Sequence, residues 1–232
     1  MDQAAHRDFR AVSLPFGFEA SVRSAIHRST TANVVARLKG RGRQADDAVI
    51  IGGHYDHLGI RAPVRGDSIY NGAEDNASGT AAVLAAAEAF LRAGVQPQRS
   101  ILFMAFGAEE SGLLGSQAFA NRPTVPLPRL ACVLNMDVMN LYGRTKDVSA
   151  LGTDQSSLGA TFVAAAAAEG MRVTVDSASL IRGSFFRSDH FPFAKAGVPA
   201  LSLEGGSDYV GRPTGWGQER RNEYNETRYH QP

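Results

Sequence analysis

Two adjacent acids, Glu109-Glu110, sit at the end of an apolar run, Ile101-Leu-Phe-Met-Ala-Phe106. A short uninterrupted run of this kind reads as a buried strand. Burying one carboxylate is costly, and two neighbours repel each other unless a cation or proton compensates. The chain must therefore fold so that other groups offset this charge. Division of labour is an economical reason: one carboxylate binds a metal while its neighbour moves protons.

The flanking pattern sets the fold class. Residues 33–38 and 48–52 read as strands, separated by the polar turn 40–47. An Ala/Leu-rich helix is expected over 78–91, stopped by Gly94, and a short helix near 112–121. Strands are expected at 100–106, 130–139, 148–152, 173–175 and 199–203, with helices at 156–169 and 189–196. The polar, Gly-rich stretch 205–229 reads as a long loop. In the mixed segment 1–32, Phe9, Val12, Leu14 and Phe16 alternate with other residues, as in an edge strand or a lead-in from a preceding domain. Strands alternating with helices predict an α/β fold, with a central mixed, mostly parallel β-sheet covered by helices on both faces. Sites in such sheets gather beyond the carboxyl ends of the strands.

Composition excludes several classes. With 232 residues, 44% hydrophobic and 20% charged, the chain can bury one full core. A net charge of +1 gives no field pointing to nucleic acid or a membrane surface. No apolar stretch approaches the ~20 residues of a membrane helix, and the first thirty lack an apolar signal core. A lone Cys132 inside an apolar run reads as a buried, inert thiol and forbids an intrachain disulfide.

Other potential ligands lie at other strand ends. His54 offers one ring nitrogen to a metal, with Asp56 placed to hold the other; a plain surface His–Asp pair is the alternative, and His57 competes as the ligand. Asp75 and Ser78 precede a helix, so they read either as caps or, for Asp75, as a carboxylate able to bridge two cations; Glu74 is its rival. Asp137 ends another apolar strand, and Tyr229-His230 lies near the chain's end. Nitrogen and oxygen donors without a thiolate suit zinc, with cobalt or manganese as substitutes. Five ligands exceed one tetrahedral zinc but suffice for two metals sharing a carboxylate, ~3.5–4 Å apart.

Six strings carry a resemblance: His54-Tyr-Asp-His-Leu-Gly59, Asn71-Gly-Ala-Glu-Asp-Asn-Ala-Ser-Gly79, Phe106-Gly-Ala-Glu-Glu-Ser-Gly-Leu-Leu-Gly-Ser116, Asn135-Met-Asp137, Ser188-Asp-His-Phe-Pro-Phe193 and Tyr229-His-Gln-Pro232. In this order they resemble the M28 family of dinuclear zinc peptidases, above all its bacterial aminopeptidase branch, over residues 33–232. The resemblance implies the zinc-exopeptidase fold and an enzyme that removes N-terminal residues from peptides with a free amine. It also implies that His54 and Asp137 bind one zinc, that Glu110 and His230 bind the other, and that Asp75 bridges them. Glu109 is then the general base, Asp56 orients His54, and the Asp75–Asn76 peptide is cis. The segment containing Asp189 and His190 lines the substrate pocket. Some members carry a tyrosine just before the Ser-Asp-His string to steady the oxyanion; Phe185 and Phe186 stand there in this chain, which leaves Tyr229 as the candidate.

The resemblance further implies a secreted or periplasmic protein, with 1–32 a remnant of a preceding inserted domain and a catalytic domain at 33–232 truncated after the Tyr-His motif. The rival readings are a single-zinc hydrolase or aminoacyl cyclase on the same scaffold, a non-catalytic binding module, and a structural α/β domain with surface acids. Oligomeric state has no signature in the sequence.

Overall fold

The computed structural model describes residues 8–10, 13, 15–25, 28–175 and 177–232. They fall into two units, Met1–Thr30 and Thr31–Pro232. The described residues of the first unit form no helix or strand, and Phe9 and Phe16 are exposed. The edge strand considered there is therefore absent from those residues, while Val12 and Leu14 lie outside them.

The second unit carries a seven-stranded sheet in which the last strand of the chain is inserted in the interior. Its strands are β1 (Val34–Leu38), β2 (Ala48–His54), β5 (Ser100–Phe106), β6 (Leu130–Met136), β7 (Asp147–Leu151), β8 (Arg172–Thr174) and β9 (Ala200–Gly205). A separate hairpin pairs β3 (Gly59–Val64) with β4 (Asp67–Tyr70). The sheet order is β1-β5-β2-β6-β9-β7-β8. Strands β5, β2, β6 and β9 run parallel, whereas β1 pairs antiparallel with β5 and β7 antiparallel with β9. The sheet is thus mixed and mostly parallel at its centre, as the strand–helix alternation predicts.

Period-two geometry explains how one sheet feeds two cores. Ile50, Leu102, Met104 and Phe106 face one way, packing with Phe119 of α2 (Leu114–Asn121) and Phe193 of α5 (Phe191–Lys195). Ile51, Ile101 and Phe103 face the other way, against Val83 and Phe90 of α1 (Ser78–Ala93). Near the far edge, Ala150, Leu201 and Leu203 pack on Leu158 and Phe162 of α3 (Ser157–Ala168). Helix α1 ends where Gly94 turns left-handed, φ 61°, and its N–H reaches the Leu91 carbonyl. Strand β2 carries Gly53 because the sheet and the start of α1 crowd there: a Cβ would meet the Met136 carbonyl oxygen at 2.6 Å.

One expectation fails outright. The stretch 205–229 is not a long loop, for it contains α6 (Trp216–Thr227), a twelve-residue helix that buries only Gly217 and Tyr224. A polar helix with so narrow a buried stripe carries no apolar periodicity to reveal it. A short helix, α4 (Ser177–Ile181), and the exposed β3–β4 hairpin were likewise not expected. Among the described residues, no helix is long and apolar enough to cross a membrane.

Candidate active site

The candidate residues collect at the carboxyl ends of the parallel strands. His54 ends β2, Glu109 and Glu110 follow β5, and Asp137 follows β6. Asp75 comes from the turn before α1, and His230 from the segment after α6. The peptide between Asp75 and Asn76 is cis. Ala108, Val138 and His230 hold φ of 58°, 53° and 55°, a region that residues with a Cβ seldom use. Two of these flank Glu109 and Asp137 directly, so the backbone is bent where it presents the acids.

Asp75 stands between two groups. Its Oδ1 lies 3.1 Å from His54 Nε2 and its Oδ2 lies 3.5 Å from His230 Nε2. Asp137 Oδ1 is 3.6 Å from the same His54 nitrogen, and Glu110 Oε2 is 3.3 Å from the same His230 nitrogen. The ligand atoms of His54, Asp75 and Asp137 all lie within 4.8 Å of one another. Those of His57, Asp75 and Glu110 form a second such group. His57, the rival ligand in the sequence, therefore sits on the Glu110 side, not the Asp137 side. Its Nδ1 is 2.8 Å from Glu110 Oε1.

Asp56 is placed differently from the expectation. His54 Nδ1 donates to the backbone carbonyl of Asp56 at 3.0 Å, whereas the Asp56 carboxylate is 3.9 Å away. That carboxylate instead accepts the backbone N–H groups of Glu109 at 3.0 Å and Glu110 at 3.3 Å. A carbonyl can only accept, so Nδ1 carries the proton and Nε2 faces Asp75 and Asp137. The ring is oriented by main chain, and the Asp56 side chain anchors the Glu109-Glu110 loop.

A polar staple holds α1 to the sheet. Asn76 Nδ2 donates to the Met136 carbonyl, while its Oδ1 accepts from Gly79 and Val138. Ser78 Oγ donates to the Glu74 carbonyl and accepts from Met139, and Thr80 Oγ1 donates to the His54 carbonyl. Neither Asp75 nor Ser78 caps α1, whose N-cap is Ala77. The bonds run instead to the backbone around Asp137 and His54, fixing Asp75 relative to both.

The Ser188-Asp-His segment also departs from expectation. Asp189 and His190 are fully buried and do not line the pocket. Ser188 reaches it: its hydroxyl donates to Asp137 Oδ2 at 2.6 Å and accepts from Asn135 Nδ2 at 2.7 Å. His190 packs its ring edge-on against Phe185, centroids 4.8 Å apart. Tyr229 stacks on His230 with centroids 3.9 Å apart and lines the pocket with it. The pocket has a volume of about 810 Å³ and contains His54, Asp75, Glu109, Glu110 and Asp137 in its wall. Ser188 and Tyr224 are among the wall residues that sequence reasoning missed; the Ser-Asp-His string pointed to the right segment but to the wrong side chains.

Electrostatics show what the cluster lacks. Burial pushes the Glu109 carboxyl up to about 9, against the pull of His54, with Asp137, Asp189 and Glu110 adding to the rise. Burial and then Asp75 push Glu110 up to about 7. Burial opposes charge on His54, but the Asp137 and Asp75 carboxylates outweigh it and hold the ring at about 12. These acids are too close and too dry to be charged together, so protein groups alone fill the site with protons. A cation among the same oxygens acts in the opposite direction. Oxygen and imidazole donors in two groups with a shared carboxylate fit zinc.

A sequence model of peptidase family M28 matches residues 33–232. Among curated proteins, leupeptin-inactivating enzyme 1 of Streptomyces exfoliatus is 36% identical over 147 residues, 62% of this chain and 32% of its own. Aminopeptidase YwaD of Bacillus subtilis is 30% identical over 188 residues, 77% of this chain and 36% of its own. The chain thus spans about a third of these relatives' length. Among solved structures, a zinc aminopeptidase from Bacillus subtilis superposes with a TM-score of 0.60 at 25% identity, covering 79% of this chain and 42% of that one.

Proposed function

This chain belongs to peptidase family M28, and from that premise we propose that it is a metal-dependent exopeptidase removing N-terminal residues from peptides with a free amine. The aminopeptidase names carried by its relatives support this reaction class. One observation carries the two-ion reading: Asp75 turns one oxygen to His54 and the other to His230, with Asp137 beside the first histidine and Glu110 beside the second.

In this reading His54, Asp137 and Asp75 hold one zinc, and Glu110, His230 and Asp75 hold the other. When bound, the zinc pair supplies the positive charge that makes a water acidic and a peptide carbonyl electrophilic near neutral pH. Glu109 accepts the proton of the attacking water and returns it to the leaving amine. Its position in the pocket wall beside the cluster suits both transfers. Asp56 fixes the Glu109 main chain, and Ser188 and the Asp56 carbonyl orient Asp137 and His54. Tyr229 has its hydroxyl held in the protonated form by burial, which pushes it up to about 12, so it serves as a donor to the developing oxyanion.

The test is hydrolysis of a leucine anilide beside its N-acetylated analogue, in zinc-loaded and chelator-treated protein. Cleavage confined to the free amine, abolished by chelation and restored by zinc, is the expected result. Equal cleavage of both compounds, or cleavage indifferent to chelation, would overturn the exopeptidase reading.

A further inference from the structure

His57 has no role in the mechanism above, yet it packs directly against Glu110. Its side chain is nine-tenths buried, and so is that of Glu110. Its Nδ1 and Glu110 Oε1 approach to 2.8 Å. At that distance a hydrogen bond is the default. Neither atom makes one: both are buried without a hydrogen-bond partner, so the ring nitrogen does not point along the line to the oxygen. Two electron-pair donors packed side by side and aimed past each other have a use if both face a third group.

The surroundings place that group. Ligand atoms of His57, Glu110 and Asp75 lie within 4.8 Å of one another. His230 approaches the same two carboxylates, 3.3 Å from Glu110 and 3.5 Å from Asp75, and its ring meets the His57 ring edge-on at 5.6 Å. Donors bound to one tetrahedral zinc at ~2.1 Å stand roughly 3.4 Å apart, so His57 and Glu110, at 2.8 Å, need to part only slightly to share one. The backbone makes room for this ring. Gly72 is left-handed, φ 65°, and a Cβ there would strike His57 Cβ at 2.6 Å and Cγ at 2.7 Å. The turn that leads to Asp75 therefore packs its bare backbone against His57.

We propose that His57 is a further protein ligand of the second metal ion, so that this ion is held by Asp75, Glu110 and two histidines, His57 and His230. The inference rests on the two-ion reading and adds to it an asymmetry. One ion has a single histidine, and the other has two of unequal anchorage. His57 is buried within three residues of β2, whereas His230 is 34% exposed. His57 is then the histidine that retains the second ion when His230 is lost.

The experiment measures metal content and ligation rather than turnover. Zinc per chain is determined after equilibration with a competing chelator, for the wild-type chain, His54→Ala, His57→Gln and His230→Ala. The chain labelled with ¹⁵N-histidine and loaded with ¹¹³Cd is examined for coupling between the metal and the ring assigned to His57. Two zinc ions in the wild type, at least tenfold weaker binding of one of them in His57→Gln, a smaller loss in His230→Ala, and cadmium coupling to the His57 ring are expected. Two ions in the wild type without coupling to that ring would overturn the inference and leave the two-ion reading standing. Fewer than two ions in the saturated wild type would overturn both. The coupling is read on the wild-type fold, so a His57→Gln chain that fails to fold does not blunt the test.

Discussion

The Asp56 carboxylate accepts the backbone N–H of Glu109 at 3.0 Å, so the residue expected to steer a histidine holds the main chain of the proposed general base instead. A second bond runs from the Glu110 N–H to the other carboxylate oxygen. Removing the acceptor leaves two N–H groups at the pocket without their partner, and hydrogen bonds to a charged group contribute ~1.5–3 kcal/mol each. His54 keeps its own partner, the Asp56 carbonyl, whatever the side chain is. Asp56→Ala should therefore lower kcat by about tenfold to hundredfold with little loss of zinc. Metal analysis beside steady-state kinetics checks it. Loss of the first zinc in step with activity would mean that the side chain orients His54 after all.

Glu109 lines the pocket and, among the described residues, forms no ion pair with a histidine, unlike Glu110, which has His57 and His230 within 3.3 Å. The two adjacent acids therefore divide in kind. Glu109→Gln keeps the shape and removes the proton acceptor, which should cost about 10²–10⁴ in kcat while zinc content holds. Glu110→Gln should instead lower zinc content. The same pattern of loss in both variants would contradict the division of labour.

Ser188 sits between Asn135 and Asp137 at 2.7 and 2.6 Å. It fixes which way the Asp137 carboxylate faces, and Asp137 is further held low by the His54 and Ser188 bonds against its burial. Partners of this kind typically tune metal affinity by about tenfold to hundredfold. Ser188→Ala should show such a drop in zinc affinity, measured with a competing chelator, and Ser188→Thr should recover part of it. Unchanged affinity in Ser188→Ala would make the hydroxyl a packing feature only.

Which of these residues the sequence reveals follows from how each is held. His54, Glu109, Glu110 and Asp137 follow apolar runs that become β2, β5 and β6, so the buried strands announce the acids that leave them. Ser188 is silent because its role depends on β6 and the 184–190 segment meeting in space. Asp56 misleads because the spacing His-x-Asp allows either its carbonyl or its carboxylate to meet the ring, and only the fold sends the carboxylate to Glu109. Helix α6 is missed because just two of its residues, Gly217 and Tyr224, are buried. Strand β3 is exposed at every position, so its pattern has no inward face to read.

The stability of the metal-free chain should depend on pH in a direction the site dictates. Glu109 is raised from 4.5 to about 9 and Glu110 from 4.5 to about 7, both chiefly by burial. His54 is raised from 6.5 to about 12 by Asp137 and Asp75 acting against burial. In each case the folded chain binds more protons than the unfolded chain above the unfolded pKa. Stability is then fully present below that value and is lost as pH rises towards the folded one. For the two glutamates the window opens near pH 4.5 and closes near 7 and 9, and for His54 it opens near 6.5. Zinc needs the Glu110 oxygens and the His54 nitrogen free of protons, so its stabilising effect grows over that window. The Tm of chelator-treated protein should fall from about pH 5.5 to about 8.5, while that of zinc-loaded protein falls less, so the gap between them widens. Thermal melts of both forms across that range check it; a gap that stays constant or narrows with rising pH would show that zinc does not displace these protons.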